Sequence, residues 1–457
     1  MMSRTALMVS ALLLASAPAP ALDVHVTADT VGQGYQLITS SGDVLRRSRL
    51  HQFLGLAVYD ILGDGENQLF VVSQMRFDAD FGISDTEATA LPQLQNNHFS
   101  LMVLYLEARN LGDFLDLRVG RQLLIDTTDF TMFDGALLTF HTGAHVGVDV
   151  YSGLEVKNGG DLGVVSSTQL ELDGDGAFAE DDDFGIVIGA SVFTEGLRDH
   201  HARLAWRRVM TPKLESPLGG ETNYVDMEKL AGSYHVRVLP ELHLAGSAAW
   251  DFVSSVLSDA RVEARVPGIA DCVDIELAWW YFTPTFEGSS IFNIFQTAPL
   301  NDVDLRVRYR HGDDASVYLG SYVRLFRQGP DANDPVTDAI ITDWGLRGGG
   351  KIQLGKTGRV GLDAYFQTGF GDVTTIEAWG GYGFLDDTLD LYTRLSTVLF
   401  DDDSRDLLEG TSFGGLVGIS YRVRELAKFH LVNELNSNDI EKIQYRVYGF
   451  VDLSFWL

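Results

Sequence analysis

A single cysteine, Cys272, stands among 457 residues, so neither an internal disulfide nor a cysteine-cluster metal site can form from this chain. Cations are scarce: 34 Lys and Arg face 64 Asp and Glu, a formal charge of −30. That balance excludes nucleic acid as a partner, because phosphate binding needs the opposite sign. Beyond the N-terminus no window of roughly 18 apolar residues occurs, which excludes a transmembrane helix in the mature chain. Eleven prolines stand against 47 glycines, with 16 Tyr, 26 Phe and 7 Trp. This mix favours pleated strands and tight turns over a helical repeat or bundle. Hydrophobic residues at 45% and charged residues at 21% rule out disorder.

What is present begins with Arg4, the apolar run from Ala6 to Ala15, and the small-residue stretch Ala17-Pro18-Ala19-Pro20-Ala21. This is the pattern of a secretory signal peptide cut near Ala21. The expected organisation is a signal over 1–21 and one domain over 22–457.

From there to the last residue the chain alternates with period two. Leu69, Val71, Met75 and Phe77 share one face, and Gln74, Arg76, Asp78 and Asp80 the other. Val303, Leu305, Val307 and Tyr309 alternate with Asp304, Arg306, Arg308 and Arg310. Tyr445, Val447, Gly449, Val451, Leu453, Phe455 and Leu457 alternate with Arg446, Asp452 and Ser454 to the end of the chain. The alternating segments run to about 9 to 15 residues, whereas soluble strands average about 5 to 6 and a tilted membrane-crossing strand needs about 9 to 11.

Connections alternate between short turns, such as Gly312-Asp313-Asp314 and Gly355-Lys356-Thr357-Gly358, and longer polar stretches such as 82–97, 156–183, 211–223, 284–301, 328–338 and 401–410. Short periplasmic turns and long extracellular loops are the rhythm of bacterial outer-membrane barrels. The expected fold is therefore all-β: a transmembrane antiparallel up-and-down barrel with an even number of strands, about 18 to 22, in the outer membrane of a Gram-negative bacterium.

In hydrocarbon every backbone polar group must be paired, so the sheet closes, its outer face apolar and its inner face polar. The inward face then carries arginines and carboxylates in comparable number, and the excess negative charge falls to loops and turns. About 18 or more strands enclose a water-filled pore. The candidate solute path consists of Arg76, Arg118, Arg121, Arg306, Arg308, Arg310, Arg324, Arg394 and Arg422 with Tyr322 and Tyr365. Guanidinium binds carboxylate or phosphate bidentately, and it also pairs with wall carboxylates, so a ladder of this kind serves either transport or wall rigidity. Inward aromatics can stack on sugar rings, or serve as ordinary girdle residues.

The acidic run Glu171, Asp173, Asp175, Glu180, Asp181, Asp182 and Asp183 fails as an EF-hand, with Ala177 and Phe178 at ligand and turn positions. It reads as a solvated surface loop. No Gly-x-Ser-x-Gly elbow or His-Glu-x-x-His occurs, so no catalytic residue, metal or cofactor is expected, and the chain is not read as an enzyme.

Leu117-Arg118-Val119-Gly120-Arg121-Gln122, then Asp129-Phe130 and Phe133-Asp134-Gly135, resembles the strand–loop–strand signature of alginate-export-type barrels. Gly32-Gln33-Gly34-Tyr35, Arg46-Arg47-Ser48-Arg49 and Arg76-Phe77-Asp78-Ala79-Asp80 are similar to the barrels of Wzx/Wzy-dependent polysaccharide secretion. The resemblance implies export of a polysaccharide (exopolysaccharide, capsule or similar) through an arginine-rich lumen, with outer-membrane lipid, the barrel assembly machinery and a periplasmic polysaccharide-export protein as partners. The competing expectation is a substrate-specific porin for small organic anions that uses the same arginines.

Overall fold

The computed structural model describes residues 22–38, 44–61, 68–81, 97–156, 185–210, 225–285, 299–327, 340–369, 371–385, 388–401, 410–438 and 443–456. The signal segment 1–21, the acidic run 171–183 and Leu457 lie outside the described residues, as do most residues of the long connections.

Twenty-two strands follow one another. The first seven are β1 (Asp23–Ile38), β2 (Val44–Tyr59), β3 (Gln68–Asp80), β4 (Asn97–Leu111), β5 (Leu115–Asp126), β6 (Asp129–His141) and β7 (Val146–Glu155). They are followed by β8 (Ile186–Thr194), β9 (His200–Met210), β10 (Val225–Leu239), β11 (Leu242–Asp251), β12 (Val256–Ile269), β13 (Val273–Phe282) and β14 (Leu300–His311). The remainder are β15 (Ala315–Arg327), β16 (Ile340–Leu354), β17 (Gly358–Thr368), β18 (Asp372–Phe384), β19 (Leu389–Asp401), β20 (Gly410–Val423), β21 (Ala427–Ser437) and β22 (Gln444–Trp456).

Each strand pairs antiparallel with its sequence neighbours, and β1 pairs with β22 from His25↔Trp456 to Tyr35↔Arg446, which closes the sheet. Closure removes the two edges that would otherwise present unpaired amides to lipid. The strands run from 9 residues in β8 to 16 in β1 and β2, the lengths that the period-two segments require.

The outer face is apolar because lipid is its solvent. Leu104, Leu106, Val119, Val192, Leu204, Val262, Leu277, Val303, Leu305, Leu319, Leu362 and Leu395 each keep 44% or more of their surface exposed. Aromatics ring both ends of this belt. Phe77 packs on Phe99 at 4.9 Å and Trp344 on Phe366 at 6.3 Å at one end; Tyr382 packs on Phe384 at 4.7 Å at the other.

From β4 onward links of two to five residues join each even strand to the next odd one and mark the periplasmic end. The expected strict alternation of short and long connections holds only in part. At the opposite end β5 and β6 are joined by Thr127 and Thr128 alone, and residues 252–255 and 369–371 are also short links. Arg424 stands in the turn between β20 and β21 at φ 53°.

Candidate functional site

The β5–β6 hairpin leaves the barrel wall. β5 pairs with β4 only as far as Arg121↔Leu104, and β6 pairs with β7 only as far as Phe133↔Glu155, so residues 122–132 have strand partners only in each other. The departure is built on glycine. A Cβ on Gly120, at φ 128°, would stand 2.2 Å from the Leu104 carbonyl oxygen, and one on Gly135 would stand 2.1 Å from that of Ser152. Only a residue without Cβ allows the backbones to approach this closely.

Beyond the glycines the hairpin bends inward and docks on the lumen face of β7–β10. Arg207 of β9, 0% exposed, donates from Nη2 to Asp126 Oδ1 at 3.0 Å and to the Asp129 carbonyl at 2.8 Å. It also donates from Nη1 to the Phe130 carbonyl and from Nε to the Tyr151 hydroxyl, each at 3.1 Å. Thr127 donates its hydroxyl to the Ala231 carbonyl of β10 at 3.2 Å. Phe133, Leu137, Tyr151, Val187 and Val209 form an apolar core beneath it, with Leu124 and Met227 packed alongside. The opposite face of the hairpin presents Ile125, 73% exposed, and its cross-strand partner Phe130 to the lumen.

The motif that carried the resemblance is accounted for by this departure. Arg121 grips Asp134 with two hydrogen bonds of 2.8 and 2.7 Å and donates to the Leu101 carbonyl of β4 at 3.0 Å, where β5 peels away. Gln122, fully buried, donates to the Gly135 carbonyl at 3.3 Å.

The other sequence-selected arginines fall into two groups. Several are held by wall carboxylates: Arg76 by Asp78 at 2.7 Å, Arg118 by Glu107 at 3.2 Å, Arg310 by Asp274 at 3.0 Å, Arg324 by Asp302 at 3.1 Å, and Arg394 by Glu377 at 3.1 Å. Arg118 also lies over the Tyr105 ring at 4.6 Å and Arg324 over that of Tyr322 at 5.1 Å. By contrast Arg306, Arg308 and Arg422 have no ion pair among the described residues; Arg306 stands only over the Tyr318 ring, at 5.9 Å.

Register brings part of the set together. Arg306 lies opposite Gly320 of β15, which lies opposite Arg347 of β16, which lies opposite Tyr365 of β17. The bare glycine leaves room for both guanidinium stems, and the Nε atoms of Arg306 and Arg347 are buried with no acceptor. Arg347 reaches Asp304, and the Tyr322 and Tyr365 hydroxyls adjoin each other and lie 2.8 and 2.7 Å from Gln367 Oε1, with one hydroxyl donating to the other and the second donating to the amide oxygen. Arg347 was missed in sequence, although its place on the face opposite Trp344 and Leu346 marks it as inward. A recess of about 520 Å³ opens here, lined by Arg261, Trp280, Arg306 and Arg347 together with Asp259, Glu276, Asp302 and Asp304. Arg76, Arg118 and Arg121 lie on β3 and β5, and Arg394 and Arg422 on β19 and β20, so the set encircles the lumen and does not converge on one point.

No family model matches the chain, and no curated protein matches it. Solved structures similar to it include OccAB1 of Acinetobacter baumannii, at 9% identity over 95% of this chain and 97% of that one, TM-score 0.45. OccK1 (OpdK) of Pseudomonas aeruginosa is 9% identical over 96% and 99%, TM-score 0.46. A BenF-like porin of Pseudomonas fluorescens Pf-5 is 10% identical over 95% and 99%, TM-score 0.45.

The expected kinship with polysaccharide-export barrels is corrected by these findings: the similar structures are outer-membrane proteins of the Occ type and a porin. The export function, and with it the polysaccharide and the periplasmic export protein as partners, falls away. Its physical basis falls too, since Gly120, Arg121, Gln122, Asp134 and Gly135 serve the inward fold of a hairpin. The chain is a closed 22-strand antiparallel up-and-down β-barrel.

Proposed function

We propose that this barrel is a substrate-specific porin for small organic anions. The observation that carries the reading is the state of Arg306 and Arg308. They are successive inward residues of β14 with no carboxylate in bridging distance among the described residues, on a wall where most arginines are paired. A guanidinium with free donors holds a carboxylate or phosphate bidentately, and several weak stations in series pass a solute without trapping it. Arg306, Arg308 and Arg422 act as stations, with Arg347 beside them. Arg76, Arg118, Arg121, Arg310, Arg324 and Arg394, with Tyr322 and Tyr365, shape and stiffen the path. Residues 1–21 act as the export signal, 22–457 as one barrel, and the alternating β22 as the segment offered to the assembly machinery.

Planar-bilayer conductance in KCl tests this directly, with small carboxylic acids added as blockers. The expected result is concentration-dependent block that weakens when Arg306 and Arg308 are both changed to Gln. Block that is unchanged in the double variant overturns the assignment.

A further inference from the structure

We propose that His201, His235 and His243 form a proton-sensitive anion station at the periplasmic mouth of the lumen, so that acidification raises the channel's preference for anions. The proposal rests on the anion-porin reading and adds to it a site and a control.

The three histidines occupy neighbouring strands, β9, β10 and β11. His201 is the register partner of His235, and His243 that of Arg237, two residues nearer the periplasm. The rings form a row, 6.1 Å between the first two centroids at 28° and 6.0 Å between the second two at 43°. They share the lumen face with Arg203, Ser233 and Ser247; the adjacent His200 points the other way and bonds the Tyr234 hydroxyl at 3.0 Å. None of the three imidazoles has a hydrogen bond or ion pair among the described residues, and no metal-holding group of side chains occurs among them.

Next to the row lies a recess of about 490 Å³. Its floor is small, Ser233, Ala245 and Ser247, and its flanks are two guanidiniums, Arg203 and Arg261, with His201, His235 and the Arg261-paired carboxylate of Glu263 in its lining. Arg203 is fixed by Asp149 Oδ2 and Ser191 Oγ, each at 3.1 Å, and lies over the Phe193 ring at 4.6 Å. A floor of hydroxyls and methyl groups between two cations suits a small carboxylate or phosphate.

The charges around the row are as follows. From β7 comes Asp149, bonded to Arg203; from the β8–β9 turn come Glu195, bonded to His141 at 2.7 Å, Arg198 and Asp199. β9 and β10 add Arg203 and Arg237, and the turn before β11 adds Glu241. β12 contributes Arg261 with its partner Glu263 at 2.8 Å, and Arg265, the register partner of His243; β13 contributes Glu276 opposite Arg265. Two of these carboxylates, Asp149 and Glu263, are engaged by arginine. Histidine is the side chain that changes charge between about pH 5 and 8, and arginine does not. Rings 6 Å apart lie within one Debye length of about 10 Å at 0.1 M salt, so their charges act on the same passing ion.

The test uses the full chain in planar bilayers under a KCl gradient, with reversal potentials read at about pH 8 and about pH 5.5, either side of the histidine range. In the wild type the chloride-to-potassium permeability ratio rises several-fold on acidification. In the triple variant His201→Gln/His235→Gln/His243→Gln it stays flat, and His235→Gln alone loses part of the rise. A full rise in the triple variant assigns the effect to other titratable groups, such as His141 or the carboxylates, and overturns the station. Anion preference that ignores pH in the wild type also overturns the station and leaves the porin reading standing. Cation preference at about pH 8 overturns the porin reading itself.

Discussion

Asp126 and Arg207 stand 81 positions apart and meet at 3.0 Å with 1% and 0% of their side chains exposed, joining the tip of the β5–β6 hairpin to the inner wall of β9. A buried pair that loses one partner leaves a desolvated charge behind, which costs about 3–5 kcal/mol. Arg207→Ala is therefore expected to lower the temperature at which the unboiled folded band disappears in denaturing electrophoresis. It is also expected to raise single-channel conductance, because the hairpin is no longer held to the wall. Asp126→Asn should do the same more mildly, since Arg207 keeps its bonds to the carbonyls of Asp129 and Phe130. Conductance equal to wild type in both variants would contradict the docking.

Gly120→Ala and Gly135→Val place carbon where the Leu104 and Ser152 carbonyl oxygens now stand, 2.2 and 2.1 Å away. Both are expected to lower the yield of folded barrel in outer-membrane fractions, Gly120→Ala with the added strain of φ 128°. Gly449→Ala, whose Cβ would meet nothing within 4 Å, serves as the control and assembles normally.

Arg121 and Arg308 lie on comparable alternating strands but should respond oppositely. Arg121→Lys breaks a bidentate grip on Asp134 and the bond to the Leu101 carbonyl. It is expected to reduce thermal stability with little change in ion selectivity. Arg308→Gln removes a cation with no partner and should change selectivity with little change in stability, typical of a surface substitution within about 0.5 kcal/mol.

Tyr322→Phe removes the hydroxyl that bonds Tyr365 and Gln367. Each such bond contributes about 1 kcal/mol, so a modest loss of heat resistance is expected, with block by small acids unaltered.

Much of this was legible before the structure. The faces of β3, β14 and β22 follow their alternation, and 22 strands fall at the top of the expected even range, because a lipid-facing pleat forces period two and closure forces an even meander. The inward fold of β5–β6 was not read, because residues 122–132 keep the same alternation after they leave the wall; Leu124, which continues the inward face, packs on the core that holds Val187 and Val209, and Ile125, on the face that elsewhere meets lipid, is turned to the lumen. The signals were present in the two-residue link Thr127-Thr128 and in Gly120, Gly135 and Gly153, whose register partners are one another. Which arginines are engaged was beyond reach for a related reason. Arg118 and Arg308 look alike along the chain, and each has a carboxylate as a cross-strand register partner, Glu107 and Asp274; only the structure shows that Glu107 bonds Arg118 while Asp274 turns to Arg310.

The central claim is that unpaired arginines of β14 make this lumen a path for anions despite a chain charge of −30. The most direct measurement is the reversal potential of the wild-type channel under a KCl gradient at neutral pH, beside that of Arg306→Gln/Arg308→Gln. The account predicts chloride preference in the wild type and a clear fall toward non-selectivity in the double variant. Potassium preference in the wild type, or the same reversal potential in both proteins, would contradict it.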